Sequence, residues 1–137
     1  MENKAPLAWS EKYRVGHQRI DDNRKLIFEI RGLANKATSD GRSSEMVQQI
    51  LSNLMDFSPR HFPDEEEFMQ SIGFPDLKNH RESHLLLLQK TEDFIEQLRL
   101  GYSVTIHDVL GFLEEWIYSH LLDEDMKIME FSELKTR

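Results

Sequence analysis

The chain has 137 residues, 39% of them hydrophobic, which is the size of one ordinary domain with a single buried core. It contains no cysteine, so disulfides, iron–sulfur clusters and thiolate-ligated metal sites are excluded, and any metal must be held by nitrogen and oxygen. The formal net charge of -8, with scattered Lys and Arg residues, argues against nucleic acid or an anionic membrane as a partner.

The N-terminal segment, residues 1–19, has no sustained hydrophobic period and predicts an extended arm. Trp9 and Tyr13 in this arm are expected to pack across helix ends. The first helix is predicted from Ile20 to about Thr38, with the inward stripe Ile20, Ile27, Ile30, Leu33, Ala34 and Ala37. Arg24 stands on the same inward surface.

A second helix is predicted to begin at Ser43 or Ser44 and to be stopped by Gly73. Its inward positions keep steps of three and four and are Val47, Ile50, Leu51, Leu54, Ser58, His61, Glu65, Phe68 and Ile72. Pro59 and Pro63 each remove a backbone donor and crowd the preceding turn, so we expect a kink or a break near Ser58.

Two further helices follow. The third is predicted to begin at Pro75 and to stop at Gly101, with the inward face Leu77, His80, His84, Leu87, Leu88, Thr91, Ile95 and Leu98. The fourth is capped by Thr105, with Asp108 three residues on, and buries Val109, Leu113, Trp116, Ile117 and His120.

Four amphipathic helices with short connections predict an all-α fold, an antiparallel up-down-up-down four-helix bundle with an N-terminal extended arm. We expect residues 1–137 to form one domain. No apolar run approaches membrane-spanning length and the N-terminus has no secretory apolar core, so we expect a soluble protein of the cytoplasm.

Metal-ligating side chains occupy positions where this bundle should bury apolar residues. His80 and His84 lie one helical turn apart, a spacing that brings two imidazoles to one metal ion, although two hydrogen-bonded core histidines have the same pattern. His61 and Glu65 repeat the spacing on another helix, and His120 adds a third helix. Because an unpaired buried polar group costs roughly 1 to 3 kcal/mol, their convergence predicts a metal site.

Helical periodicity does not decide which acidic residue is the second metal ligand beside His120. His120 precedes an acidic run, in which helical geometry favours Glu124 at the fourth position over Asp125 at the fifth. An acidic run at the end of the bundle is also typical of a solvent-exposed face. We interpret Asp123 as such an exposed residue.

Other titratable residues near these positions are weaker candidates. Glu66 and Glu67 are interpreted as surface charge beside Glu65. His107 lies in the first turn of the last helix and is expected to be exposed, and His17 lies in the arm.

Alternative metal folds are disfavoured, because neither the Glu-x-x-His pairs of ferritin-like bundles nor the His-Glu-x-x-His string of zinc proteases occurs. The spacing His61-x3-Glu65, His80-x3-His84 and His120-x4-Asp125 instead resembles the hemerythrin family. The resemblance covers nearly the whole chain and is also carried, in order, by Trp9, Tyr13, Val15-Gly16, Ile20-Asp21, His61-Phe62, Glu65-Glu66, Met69, Gly73-Phe74-Pro75 and Trp116-x3-His120.

The resemblance implies a di-iron centre with the ligands His61, Glu65, His80, His84, His120 and Asp125. It implies that one iron is held by three histidines, His80, His84 and His120, and that the second is held by His61. Glu65 and Asp125 are implied to bridge both irons. It therefore favours Asp125 over Glu124. It also places Ile117 where the family lines its dioxygen pocket, a position that a plain core isoleucine fits equally well, and brings Phe62 and Trp116 beside the ligands.

One position departs from the family. The family's Asp-x-x-His string appears here as Asp21-Asp22-Asn23-Arg24, so a seventh ligand is missing from the half of the centre that binds dioxygen. A guanidinium has donors and no lone pair to offer a metal. Water or Asp21 is expected to fill that place, while Arg24 either supplies charge in the core beside Glu65 and Asp125 or extends its head to solvent.

These features predict a non-haem di-iron protein that binds or senses dioxygen or a related small oxidant and is not an enzyme, with slow peroxidase-type turnover as a third possibility. The second iron is expected to be weakly held. The alternative is a regulatory or interaction bundle with one metal ion or none, in which Arg24 replaces the charge of the second metal. A protein partner is possible in either case.

Overall fold

The computed structural model describes residues 9–14, 16–39 and 43–135, and the side chains of residues 43, 123–125 and 135 lie outside that description. The elements in chain order are a 3-10 turn at Glu11–Tyr13, α1 at Gln18–Ala37, α2 at Ser43–Ser71, α3 at Leu77–Arg99, α4 at Ile106–Glu115, a π-helical segment at Trp116–Glu124 and α5 at Asp125–Lys135. Because α4, the π-helical segment and α5 follow without interruption, they form one column. The predicted all-α four-helix bundle is confirmed.

The four columns form a closed ring. Helix α1 packs against α2 and α4, α2 packs against α3, and α3 packs against the π-helical segment. The core between them is apolar along most of its length, with residues such as Ile27, Ile50, Leu54, Val109 and Leu113 at most 1% exposed. The metal-ligating side chains lie beyond one end of this apolar stretch.

The predicted stop of α3 at Gly101 and the predicted cap of α4 at Thr105 are confirmed, whereas α3 begins at Leu77 and not at the predicted Pro75. Gly101 has φ of +87°, and the following Tyr102 N–H bonds back to the Gln97 carbonyl at 2.9 Å, which closes α3 with a left-handed residue that favours glycine. At the start of α4 the Thr105 hydroxyl accepts from the Asp108 N–H at 3.1 Å, and the Asp108 carboxylate accepts from the Thr105 N–H at 2.9 Å.

Where it is described, the arm packs beside the middle of α1 and not across helix ends as predicted, and α1 already begins at Gln18. Trp9 and Tyr13 pack against Phe28 of α1, with ring centroids 5.9 and 5.7 Å away. Phe28 is 5% exposed, and the sequence stripe did not include it. Residues 1–8 and Val15 lie outside the described part of the chain.

Some expectations were wrong. Helix α2 continues through Pro59 and Pro63, so a break near Ser58 is wrong, while the alternative, a kink, stays a prediction. Leu33 and Ile95 were placed in the core but are 44% and 36% exposed. The π-helical segment was not predicted. Among the described residues no helix is both long and apolar enough to cross a membrane.

Candidate metal centre

Four buried side chains converge between α2, α3 and the π-helical segment. Glu65, His80, His84 and His120 each present one ligand atom, and these atoms all lie within 4.8 Å of one another. His80 Nε2 lies 2.6 Å from Glu65 Oε1, and His84 Nε2 lies 3.0 Å from His120 Nε2. Each of these residues is at most 8% exposed.

The donor set fits a divalent metal ion. Three imidazole nitrogens and one carboxylate oxygen are nitrogen and oxygen ligands of the kind that zinc and iron accept. Two histidine nitrogens 3.0 Å apart share at most one proton along that line, so a cation between the rings would satisfy the remaining lone pairs. The cluster contains four of the six ligands that the sequence predicted.

Helical spacing and one aromatic ring position the cluster. His80 and His84 lie one turn apart on α3, and their ring centroids are 4.7 Å apart. Phe62 stacks on the His84 ring with parallel planes and centroids 3.9 Å apart, and lies 5.7 Å from Trp116. Phe62 and Trp116 therefore restrict the orientation of the ligands from the apolar side.

Glu66 is not the plain surface charge that the sequence predicted. Its Oε2 lies 2.8 Å from His84 Nδ1, and its Oε1 accepts from Arg81 Nε at 3.1 Å. The hydrogen bond from His84 lowers the pKa of Glu66, so the carboxylate is ionised. It holds the proton on Nδ1 of His84 and leaves Nε2 as the lone pair that faces the cluster. Glu66 lies off the inward stripe of α2, so helical periodicity gave no signal for this role.

We expect Glu66→Gln to weaken metal binding by roughly 10- to 100-fold, because the amide does not provide the negative acceptor that fixes the His84 tautomer. Competition between the protein and a chelator for Co²⁺ or Zn²⁺ measures the effect. Glu67→Gln is the matched control, since Glu67 is exposed one residue further along α2. Equal affinities for the two variants would contradict this role.

The charge of Glu65 is stabilised by its neighbours. Burial alone would raise the pKa of this carboxyl, but hydrogen bonds from the three histidines hold that pKa well below its usual value. The carboxylate is therefore ionised in the core, as a metal ligand must be.

His61 stands apart from the cluster. Its side chain is 23% exposed, and its Nδ1 lies 3.9 Å from Asp64 Oδ2. The ring packs on Phe57 with centroids 4.4 Å apart. His61 is therefore close to Glu65 on α2 without joining the four-residue cluster, and its predicted place as a ligand of a second metal stays a prediction.

A cavity of about 10 Å³ separates His61 from the cluster. Its lining residues are Asn23, Arg24, Ile27, Phe57, His61, Phe62, Glu65, Trp116, His120 and Leu121. A cavity of this size has room for about one water-sized molecule. Ile117, predicted to line a ligand pocket, is fully buried in the apolar core and is not among the lining residues.

Arg24 lies in the core and does not extend its head to solvent. It is 1% exposed, and its guanidinium donates to the Tyr13 carbonyl at 2.5 Å and to the Leu121 carbonyl at 2.6 Å. These bonds join the arm to the π-helical segment, at the residue next to His120. Asp21, considered as a replacement ligand, accepts instead from the Gly16 N–H at 3.3 Å and lies 3.5 Å from Arg14 Nε.

The π-helical segment bears on the choice between Glu124 and Asp125. A π-helix is wider than an α-helix and has more residues per turn, so it brings the position five residues on toward the same face. A π-helical backbone through His120 therefore makes Asp125 a possible companion, which a regular α-helix would not. Both side chains lie outside the described part of the structure, so Asp125 stays a prediction.

The remaining histidines lie elsewhere. His107 is exposed, as predicted. His17 packs on Phe68 of α2 with ring centroids 5.0 Å apart and is not part of the cluster.

Metal-free protein should lose stability in two stages as the pH falls. Burial lowers the pKa of His61, against the opposing charge of Asp64, so the unfolded chain takes up protons first and stability falls as the pH drops below 6.5. Glu65 also has a lowered folded-state pKa, so its contribution is present above about 4.5 and is lost as the pH falls through that folded-state value. Melting temperatures with chelator at pH 7, 5 and 3 measure both stages. His61→Gln should weaken the first stage and leave the second unchanged, and a wild-type melting temperature equal at pH 7 and pH 5 would contradict the first stage.

Comparison with known proteins agrees with this geometry. The family profile described as Hemerythrin HHE cation binding domain matches residues 14–131. A bacteriohemerythrin of Clostridium acetobutylicum is 27% identical over 131 residues, covering 90% of this chain and 99% of the relative. A myohemerythrin of Theromyzon tessulatum is 27% identical over 122 residues, covering 89% and 90%. The crystal structure of a wild-type hemerythrin matches with a TM-score of 0.72 at 27% identity, covering 88% of this chain and 93% of that one.

Proposed function

The chain belongs to the hemerythrin family, and from this we propose that it is a non-haem iron protein that binds or senses dioxygen or a related small oxidant. The observation that carries the proposal is the buried cluster of Glu65, His80, His84 and His120, whose donor atoms lie within 4.8 Å of one another. The role is binding and not catalysis.

We propose that these four residues hold the tighter of two iron ions. Three neutral nitrogens and a carboxylate satisfy most of the coordination of one ion, and Glu66 orients one of the rings from outside. His61, with Glu65 and Asp125 as shared carboxylates, is proposed to serve the second iron. We propose that this half has fewer nitrogens, because the family resemblance implies that Arg24 takes the place of a histidine.

Iron, when bound, supplies the electrons for binding of an oxidant. The protein supplies the surroundings: the cavity beside Glu65 and His120 is walled by Phe57, Phe62 and Trp116 and admits only a ligand of very few atoms. Apolar walls exclude bulk water, and they strengthen electrostatic interactions within the cavity. The cavity therefore limits a ligand to very few atoms, a size that a small oxidant meets.

A second candidate function is favoured by the burial of Arg24. A guanidinium 1% exposed near Glu65 adds positive charge where a second metal would otherwise do so. In this alternative the chain is a regulatory or interaction bundle with one metal ion or none. The cytoplasmic location expected from the sequence stays a prediction.

Anaerobic reconstitution with Fe²⁺ followed by exposure to air distinguishes these functions. The proposed function predicts bound iron and a new absorption band in the near ultraviolet that changes with dioxygen, while protein loaded with Zn²⁺ shows none. Iron bound without any change in absorption in air would overturn oxidant binding. First occupancy beside His61, located by anomalous scattering at one equivalent of iron, would overturn the assignment of the tighter site.

A further inference from the structure

Two adjacent leucines on the outer face of α3 are exposed to solvent. Leu85 is 66% exposed and Leu86 is 59% exposed, near the middle of the helix. Single exposed apolar residues are ordinary on protein surfaces, but a contiguous apolar patch is typical of an interaction site. The grooves on both sides of these leucines make the patch contiguous.

Each groove extends the leucine pair to one side. The groove toward α2 has Pro59, Phe62 and Pro63 on one wall, Leu85 and Leu88 on the other, and reaches His84. The groove toward the last column is lined by Leu86, Leu87, Phe112 and Trp116 and reaches His120. We call the two leucines and the two grooves the α3 face. It lies directly over two histidines of the metal cluster.

The charge on α3 differs from that of the whole chain. The chain carries -8, whereas α3 carries four Lys or Arg and four Asp or Glu, so its formal charge is zero apart from histidine. The charges of α3 therefore do not complement those of a strongly basic or strongly acidic partner. They complement a partner surface that also carries equal numbers of positive and negative side chains.

We infer that the α3 face binds a second copy of this chain, with two α3 helices packed antiparallel around a two-fold axis at Leu86. Glu82 and Lys90 are each four residues from Leu86, one on either side, and share its helix face. An antiparallel two-fold pairing therefore places Glu82 of each copy opposite Lys90 of the other, so one complementary pair occurs twice.

Within one chain, Glu82 and Lys90 have few contacts that would compete with this pairing between copies. Glu82 and Lys90 are both exposed, and Lys90 lies 3.6 Å from Glu115 in a surface pair that contributes little to stability. The leucines of each copy would cover the grooves of the other. Water would then be excluded from both approaches to His84 and His120, and this consequence does not depend on which metal is bound.

Sedimentation velocity across about a hundredfold range of protein concentration tests the inference. We expect the sedimentation coefficient of the full chain to rise with concentration, and Leu86→Glu to weaken association by about tenfold or more. Leu33→Glu is the matched control, because Leu33 is a 44% exposed leucine on α1, and it should associate like the wild type. A wild type that stays monomeric, or equal effects of the two variants, would overturn the inference.

A charge exchange tests the antiparallel register. Glu82→Lys and Lys90→Glu should each weaken association severalfold, because like charges then face each other, and the double variant should recover most of the loss. Circular dichroism of each variant shows whether the fold is retained. Failure of the double variant to recover would overturn the register, and binding of a monomeric wild type to neutral lipid vesicles would assign the face to a lipid surface instead.

Discussion

Replacing His84 with alanine should abolish tight metal binding. His84 has contacts through both ring nitrogens: its Nε2 faces Glu65 at 3.3 Å and His120 at 3.0 Å, and its Nδ1 faces Glu66 at 2.8 Å. Four-ligand protein sites bind metal with roughly 10 to 16 kcal/mol, so each ligand contributes about 3 kcal/mol. We therefore expect affinity to fall by roughly a hundredfold or more.

Chelator competition with Co²⁺ or Zn²⁺ measures the loss directly. His107→Ala is the matched control, because His107 is exposed on α4 and away from the cluster. Helical circular dichroism of the metal-free variants separates lost binding from lost folding. If His84→Ala bound metal as tightly as His107→Ala, the cluster would not be the primary metal site.

Replacing Arg24 should change both stability and metal content. In Arg24→Met the carbonyls of Tyr13 and Leu121 lose their guanidinium donor in a buried setting, at a cost of roughly 2 to 4 kcal/mol. The core also loses a positive charge near Glu65. We therefore expect the melting temperature of Arg24→Met to depend on bound metal more strongly than that of the wild type.

Arg24→His should have a different outcome, because it returns a neutral nitrogen to the cavity that His61 also lines. We expect this variant to hold more metal per chain than the wild type and to show a stronger absorption change in air. Metal analysis after anaerobic loading and dialysis gives the ratio.

The matched control for both variants is Arg31→Met. Arg31 is also on α1 and mostly buried, with an 11% exposed side chain, but it pairs with Glu114 at 3.4 Å away from the cluster. Arg31→Met should leave metal content unchanged. Identical metal content and chelator response in wild type, Arg24→His and Arg24→Met would refute our account of Arg24.

The sequence predicted the cluster well where its residues repeat at helical spacing. His80 and His84 lie one turn apart, so any helix through them presents both rings on one side. Glu65 and His120 follow the apolar stripes of their own helices, and burying those stripes requires the polar residues to face inward. Thr105 and Gly101 defined helix ends for equally local reasons.

Local pattern failed where the outcome depends on what lies across the bundle. Glu66 is offset from the inward stripe of α2, and only the position of α3 brings it to His84 Nδ1. Leu33 fits the stripe of α1 but is only partly covered and is 44% exposed. The hydrophobic periodicity of a helix shows which of its sides is apolar. It does not show how much of that side a neighbouring helix covers.

The sequence by itself determined four amphipathic helices, their caps and stops, and an inward set of histidine and carboxylate ligands, because these follow from bonding and spacing within a few residues. Only the tertiary structure decided what Arg24 does, since its guanidinium donates to main-chain oxygens 11 and 97 residues away along the chain. It also decided the π-helical segment through His120 and the separation of His61 from the other histidines. The physical reason is that backbone carbonyls are alike in every sequence, so the packing of the columns alone selects which of them face a buried cation.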